Sequence, residues 1–348
     1  MMDTPEIEGF EFRQRLAQST RCVLWRAVQC ALERDVLVAV FSEEVLADEA
    51  LADALFALVR KLTQAKTPLI PDVIDIRREA NTGYVILEDA HAAPLMSLLD
   101  GKRVEPERLT RLGMKLAEGF AALAQEHLVY GGLRPSKVYL VDGSEPLLPD
   151  FSPMSFEAGW GTNPPERALV GSAPYVAPEQ YMAPETVDTR ADMFALGMTL
   201  YALGTGQVPF GAIPAEEILE RKLQDQIPSP CDVVKGFPRP LAAVLGRLTR
   251  RAAAERYADW DEVVCDLAAA LRGEAPAEGD EAGAVIALPN PAKWGRAERT
   301  IRISAAELRA HRGKPFRRKR MGVWSWVALV GAAVLALALA VMAAMVLL

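Results

Sequence analysis

The 348-residue sequence is poor in the side chains that build disulfide frameworks and transition-metal sites. It has three histidines, which stand far apart, and four cysteines without a CxxC pair: Cys22, Cys30, Cys231 and Cys265. Zinc sites need cysteine and histidine ligands at short, regular spacings, so no such site is predicted. The cysteines are expected to be small core residues in a reducing compartment.

Cationic residues are scarce over most of the chain. The formal net charge is −7 and the pI about 5.3, which disfavours a nucleic-acid binder held by phosphate contacts. Residues 293–320 are the exception, with eleven Lys or Arg against two acids, a charge of +9. Residues 273–292 hold four acids and no base, which leaves −12 for residues 1–272. The acidic body and the basic segment are therefore expected to meet different partners.

Charge is absent altogether from residues 321–348. Roughly 20 apolar residues, at about 1.5 Å each, span a bilayer, so this stretch predicts one transmembrane helix. A buried core helix is the alternative, but such helices are usually shorter and rarely follow a run like RRKR at 317–320. By the positive-inside rule this run stays in the cytoplasm.

No signal peptide is predicted from residues 1–10, because they are acidic and have neither a basic nor an apolar region. The two ends together predict a single-pass protein of the cell's inner or plasma membrane with a cytoplasmic N-terminal body.

Within that body, residues 10–90 favour strands with one helix, and later segments favour helices. Residues 273–292, rich in Gly, Ala, Pro and Glu, predict a flexible acidic linker before the basic juxtamembrane segment 293–320.

Four short motifs then follow one another at consistent spacings: GSAPYVAPE at 171–179, ADMFALG at 191–197, GTGQVPF at 204–210 and AERY at 254–257. In this order they resemble protein kinase signatures, and residues 10–272 are similar to bacterial serine/threonine kinases. The resemblance implies an α+β, kinase-like bilobal fold. It has a β-rich N-lobe at about 10–90 and a helical C-lobe at about 91–272.

The resemblance also implies fold-keeping roles for three residues. Glu179 and Arg256 would form a largely buried ion pair, and removing one partner of such a pair typically costs roughly 3–5 kcal/mol. Asp192 would hold the backbone of the loop that carries catalytic residues in the family. These roles do not demonstrate catalysis.

The positions of the N-lobe that bind phosphate in the family hold unsuitable residues here. Ala17, Ser19 and Cys22 stand where three glycines would let the backbone approach the phosphates. Phe41 replaces the lysine that clamps the phosphates, and Leu58 replaces the glutamate that pairs with that lysine. Lysine and glutamate are lost together, which leaves no poorly paired charge.

The catalytic loop is altered as well. The run YGGLRPSK at 130–137 aligns with HRDLKPEN, so that Gly132 replaces the base aspartate and Lys137 the metal-binding asparagine. Asp150 alone is retained from the phosphate and metal machinery. Loss of a general base commonly costs ~10² to 10⁴ in rate, and further losses in the same unit do not multiply. No catalytic residue is therefore expected.

Two functions remain open at this point. The first is a membrane-anchored pseudokinase that acts as a protein-binding or scaffolding module in signalling, or that merely keeps the fold. The second is a divergent active serine/threonine kinase that transfers phosphate from ATP, with Lys137 or Arg21 near the phosphates and Asp150 on Mg²⁺. Only the second function requires ATP and magnesium as cofactors.

Nucleotide binding is a separate question. Weak, metal-independent binding would use Ala39 and the hinge-like segment from Glu88 to Ala90, whereas an apolar cleft closed by Phe41 would exclude it. Segment 152–171 lacks the family's usual threonine cluster and has Ala, Leu and Val at 168–170, so no phosphorylation switch is predicted there.

The basic segment suggests two kinds of partner. Thr300 with an isoleucine three residues later is similar to the phosphothreonine ligands of forkhead-associated domains, and an active kinase is another possible protein partner. Basic residues near a membrane more usually contact anionic lipid, at about 1 kcal/mol each. The lipid-contact candidates are Lys314, Arg317, Arg318, Lys319 and Arg320.

Overall fold

A five-stranded antiparallel sheet forms the first part of the molecule. The computed structural model describes residues 4–19, 21–79, 82–99, 101–151, 173–183, 186–208, 210, 218, 221–224, 227–276 and 295–296. The sheet has the order β1-β2-β3-β5-β4. Its strands are β1 (Phe10–Gln18), β2 (Cys22–Gln29), β3 (Arg34–Phe41), β4 (Val73–Glu79) and β5 (Thr82–Glu88).

Both faces of the central strands are covered, which explains why β2 and β3 are almost continuously apolar. Leu37, Ala39 and Phe41 on one face join the large core that continues into the C-lobe. Val36 and Val38 on the other face pack in a smaller cluster with aromatic residues of β1. The first face therefore lies toward the cleft between the lobes.

Two helices follow β3, α1 (Glu43–Ala47) and α2 (Glu49–Ala65). Each begins at a side-chain cap: Ser42 accepts a hydrogen bond from the Val45 N–H, and Asp48 accepts one from the Leu51 N–H at 3.0 Å. The apolar face of α2 packs into the large core. This anchors α2 against the cleft-facing side of the sheet.

The connection between the lobes leads into the helical part. It contains β6 (Ala93–Pro94) and α3 (Leu95–Leu99), followed by α4 (Pro106–Gln125). A 3₁₀ turn (Pro135–Lys137) then precedes β7 (Tyr139–Val141) and β8 (Glu145–Leu147), which pair with β6 in a small sheet of order β6-β7-β8. This sheet carries the residues that follow the loop 130–137.

The remaining elements complete the C-lobe. They are α5 (Glu179–Met182), α6 (Arg190–Thr205), β9 (Gln207–Val208), α7 (Pro230–Val233), α8 (Arg239–Leu248), α9 (Trp260–Leu271) and β10 (Gly295–Arg296), which pairs antiparallel with β9. Almost every residue of α6 is buried, so this helix is the centre of the lobe. Gly197 lets α6 approach α8 closely, because a Cβ there would lie 2.8 Å from the Leu248 Cβ.

The predicted bilobal arrangement is confirmed: a β-sheet lobe precedes a helical lobe. Within the described residues, none of the helices combines the length and hydrophobicity needed to cross a bilayer. The predicted transmembrane helix at 321–348 lies outside those residues, as do segment 152–171, Thr300 and the predicted lipid-contact residues.

Candidate functional site

The upper wall of the cleft is apolar. Ala39 pairs with Leu24 on one side and Val85 on the other, and all three are buried on the face that joins the interlobe core. The predicted nucleotide-facing residue Ala39 is thus at the centre of the sheet's cleft side. Such a wall can take a flat apolar group but offers it no polar contact.

Phe41 lies at the end of this wall and packs on α2. Its ring meets the Phe56 ring edge to face, with centroids 5.2 Å apart and an interplanar angle of 85°. Leu58 is 2% exposed and belongs to the same core. An aromatic pair therefore holds β3 to α2 where the family would use a charged pair, and Phe56 was not identified from the motifs.

The loop at the floor of the cleft is held by Asp192. Its carboxylate accepts hydrogen bonds from the Tyr130 N–H at 2.8 Å and the Gly131 N–H at 2.7 Å. Burial raises the pKa of Asp192 to about 7, while the two N–H donors act in the opposite direction. Gly131 has φ of 70°, a left-handed conformation that suits glycine. The neighbouring Gly132 provides no side chain for proton transfer.

Lys137 and Asp150 are brought together at the same floor. The Lys137 ammonium contacts Asp150 Oδ2, and the two side chains are only 13% and 4% exposed. The main-chain oxygen of Asp150 also accepts a hydrogen bond from the Tyr130 hydroxyl at 2.9 Å. The one retained acidic residue of the machinery is therefore neutralised by a side chain of its own chain.

Tyr139 spans the cleft, although the motifs did not identify it. It is 8% exposed, and its hydroxyl donates to the Leu16 carbonyl at 3.5 Å, which connects β7 of the C-lobe to β1 of the N-lobe. Burial raises the pKa of Tyr139, and the charge of Asp150 raises it further. The sequence offered one indication of this residue, a large aromatic side chain two positions after Lys137 at the start of a short strand.

The mouth of the cleft is organised by Asp89, between the two predicted hinge residues. Glu88 and Ala90 are exposed, whereas Asp89 is buried. The Arg26 guanidinium donates to Asp89 with its Nε at 2.5 Å, and the His91 N–H donates at 2.8 Å. The carboxylate of Asp89, the buried polar group of the hinge segment, is therefore bound by groups of the chain itself.

The fold-keeping pair lies in the C-lobe, away from the cleft. The Arg256 guanidinium binds the Glu179 carboxylate with two hydrogen bonds, at 2.5 and 2.9 Å, and its side chain is fully buried. Three main-chain carbonyls accept its other hydrogen bonds, those of Arg190, Arg250 and Arg251. The arrangement matches the pairing that the resemblance implies.

A second buried cation, Lys222, lies next to this pair and was not identified from the sequence. Its ammonium donates to the carbonyls of Ala173 and Val176, the latter at 2.6 Å, and lies 5.1 Å from the centroid of the Phe194 ring. Burial lowers the pKa of Lys222 well below its usual value. Lys222 thus fixes the turn inside the motif 171–179, which ends at Glu179.

These residues do not fit a magnesium–nucleotide complex. Mg²⁺ takes oxygen ligands, but Asp150 is paired with Lys137, whose positive charge would repel a metal ion. Phe41 provides no charge for phosphates, and Tyr139 fills the space between β1 and β7. Among the described residues, no three His, Cys, Asp or Glu side chains group as metal ligands do.

Comparison with known proteins agrees with this architecture. A family model described as the protein kinase domain matches residues 41–263. The chain is 23% identical over 271 residues to a probable serine/threonine-protein kinase of Clostridium acetobutylicum, with 77% of this chain and 40% of that protein covered. It is 23% identical over 256 residues to serine/threonine-protein kinase PknL of Mycobacterium tuberculosis, with 73% and 64% covered. The chain thus spans less than two thirds of the length of both relatives.

A solved structure provides the same result for the fold. The kinase domain of Mycobacterium tuberculosis PknI matches with a TM-score of 0.58 at 18% identity. The match covers 76% of this chain and 96% of that domain. At this identity the likeness concerns the fold alone.

Proposed function

Because the chain belongs to the protein kinase family, we propose that it is a membrane-anchored pseudokinase: its fold serves as a protein-binding or scaffolding module in signalling and transfers no phosphate. The observation that carries this proposal is the contact between Lys137 and Asp150. In the alternative, an active kinase, Asp150 would have to hold magnesium. Here its charge is already neutralised in a site where both side chains are largely buried.

Other residues of the two lobes support the same proposal. Gly132 cannot accept a proton from a substrate hydroxyl, and the Phe41–Phe56 pair cannot stabilise phosphoryl charge. By contrast, the contacts of Asp192, Glu179 and Arg256 that maintain the fold do not depend on a nucleotide or on metal. A domain of this kind keeps its surface while its chemistry is lost.

The test is a phosphoryl-transfer assay on the full chain. The purified protein is mixed with radiolabelled Mg-ATP or Mn-ATP and general protein substrates, beside Asp150→Ala. We expect no transfer above the Asp150→Ala background. Transfer that Asp150→Ala abolishes would establish the divergent active kinase instead.

The membrane part of the proposal is supported by the uncharged segment 321–348 directly after the run RRKR. The expected result is that the full chain stays with membranes in alkaline carbonate. A variant with Leu335→Lys and Leu339→Lys should be released, since charges at the centre of a bilayer are costly. Release of the unaltered chain would contradict the anchor.

The partner part of the proposal follows from the basic segment. We propose anionic lipid as its first partner, through Lys314 and the run at 317–320. Binding of the chain's 293–320 peptide to vesicles with and without phosphatidylserine tests this. A forkhead-associated domain that binds a Thr300-phosphorylated peptide but not the unmodified one would add a protein partner.

A further inference from the structure

The cleft contains a positive charge and an aromatic ring that belong to the chain itself. We propose that these groups replace a bound ligand: the Lys137 ammonium takes the place of a divalent cation at Asp150, and the Tyr139 ring fills the gap between β1 and β7. The domain therefore keeps its cleft closed without metal or nucleotide. The inference rests on the proposed function, because a cleft filled in this way cannot serve phosphoryl transfer.

The cation half of the inference follows from charge and burial. Asp150 is 4% exposed, and an isolated carboxylate at that depth would bind a cation or a proton. Lys137 supplies the cation through a side chain anchored in the 3₁₀ turn directly before β7. Because the ammonium is attached to the chain, its presence does not depend on the metal concentration.

The position of the ring follows from the two points at which Tyr139 is held, its backbone and its hydroxyl. Its backbone belongs to β7, where it pairs with Pro94 and Leu147, and its hydroxyl reaches the Leu16 carbonyl on β1. The ring must therefore cross the space between the lobes. Besides burial, the charge of Asp150 at the floor raises the pKa of Tyr139, and the charge of Arg26 at the mouth of the cleft lowers it.

The cation half is tested by metal binding on the full chain. Mn²⁺ is titrated and the free ion is followed by electron paramagnetic resonance for the unaltered protein, Lys137→Asn, and Lys137→Asn with Asp150→Asn. Removing the fixed charge should tighten Mn²⁺ binding at Asp150 at least about tenfold, and the double variant should lose the gain. Lys115→Asn, which removes a lysine paired with the exposed Glu145, is the matched control and should gain nothing.

The ring half is tested with adenosine, which carries no phosphate and so does not report on the basic segment. Calorimetry on the unaltered protein and on Tyr139→Phe should detect no binding at millimolar adenosine. Tyr139→Ala and the milder Tyr139→Leu should bind adenosine at least about tenfold more tightly than the unaltered protein does, since the fraction of molecules with an open cleft rises. Tyr139→Phe keeps the ring and loses only the hydroxyl.

Several results would overturn the inference. They are adenosine binding to the unaltered protein, a Mn²⁺ site in it that Asp150→Asn removes, or no gain in the folded Lys137 and Tyr139 variants. Should Tyr139→Ala not fold, Tyr139→Leu and the measurements on the unaltered chain decide. Nucleotide binding without phosphate transfer would refute the filled cleft alone, whereas phosphate transfer by the unaltered chain would refute the proposed function.

Discussion

At the scale of single residues, the C-lobe places two buried cations, Lys222 and Arg256, over one aromatic ring. Lys222 and Arg256 both lie 5.1 Å from the centroid of the Phe194 ring, and Glu179 neutralises Arg256. Desolvated charges of this kind are stable only while each has its partner, because a stranded charge keeps the full cost of burial. Two predictions follow from this arrangement.

The Glu179–Arg256 pair should show strong coupling. Glu179→Gln or Arg256→Met alone should lower the free energy of unfolding by roughly 3–5 kcal/mol, because the remaining group loses its partner. The double variant should lose less than the sum by about 0.5–3 kcal/mol. Urea unfolding of the four proteins measures this, and strict additivity would contradict the pair.

Lys222 should make stability depend on pH in the alkaline range. Its folded pKa is depressed, mainly by burial and secondarily by Arg256, although Glu179 acts in the opposite direction. Between this depressed pKa and the ordinary value of about 10.4, the unfolded state binds more protons than the folded state, so this group makes the protein more stable as pH rises toward about 10.4. Lys222→Met should flatten the rise directly below about pH 10.4 by up to about 1.4 kcal/mol per pH unit. An unchanged slope in chemical unfolding would refute the prediction.

At the scale of elements, the central helix α6 depends on close approach to α8. A Cβ at Gly197 would lie 2.7 Å from Thr249 Cγ2 and 2.8 Å from Leu248 Cβ, whereas a Cβ at Gly246 on α8 meets nothing within 4 Å. The two glycines therefore serve different purposes. Packing of α6 on α8 requires the glycine at Gly197, whereas Gly246 is exposed on α8 and can be replaced.

Alanine substitution should separate these two glycines. Gly197→Ala should destabilise the protein by roughly 1–3 kcal/mol, because the helices must move apart. Gly246→Ala should stabilise it by up to about 1 kcal/mol through helix propensity. Thermal unfolding of both variants checks the signs, and equal effects would show that α6 and α8 are not in contact as described.

Sequence reasoning predicted elements better than contacts. The strands expected within residues 10–90 and the helices expected after them are present, because hydrophobic periodicity and caps are local signals. The motifs also marked Phe41, Lys137 and Asp150 as positions. They did not indicate that Phe56 would meet Phe41, because a helical period does not specify which side chain on α2 reaches β3.

The same limit applies to the residues that the motifs missed. Tyr139 and Lys222 act through partners more than forty residues away in the sequence, at Leu16 and at Ala173. No local pattern identifies the partner in either case, since each contact exists only once distant parts of the chain have folded together. The predicted membrane segment and all but the first four residues of the predicted linker lie outside the described part of the chain and stay predictions.

At the scale of the whole molecule, two further hydrogen bonds join the lobes without using a side chain of the cleft. The Thr67 hydroxyl donates to the Gly119 carbonyl on α4 at 2.8 Å, and the Leu148 N–H donates to the Leu69 carbonyl at 2.6 Å. Both hydrogen bonds connect the segment after α2 to the C-lobe. Neither involves Lys137, Tyr139 or any other group in the cleft.

Thr67→Val should therefore weaken the attachment of the lobes. The valine keeps the volume but removes the hydroxyl that donates to the Gly119 carbonyl and accepts from the Leu69 N–H, at a cost of about 1–3 kcal/mol. Hydrogen exchange should quicken in residues 66–73 while the cleft residues change less. Thr63→Val is the control, because the exposed Thr63 hydroxyl bonds only to the Arg60 carbonyl on its own helix. Equal effects of both substitutions would contradict the prediction.

The ring of Tyr139 has a consequence for pharmacology. Compounds that inhibit kinases by competing with ATP need an empty slot between the lobes, and in this chain the slot is crossed by a phenol anchored at both ends. Such compounds should therefore not bind this protein in a cell, although they inhibit its active relatives. A signalling effect that persists under a broad ATP-competitive inhibitor would then be a means of identifying what this protein contributes.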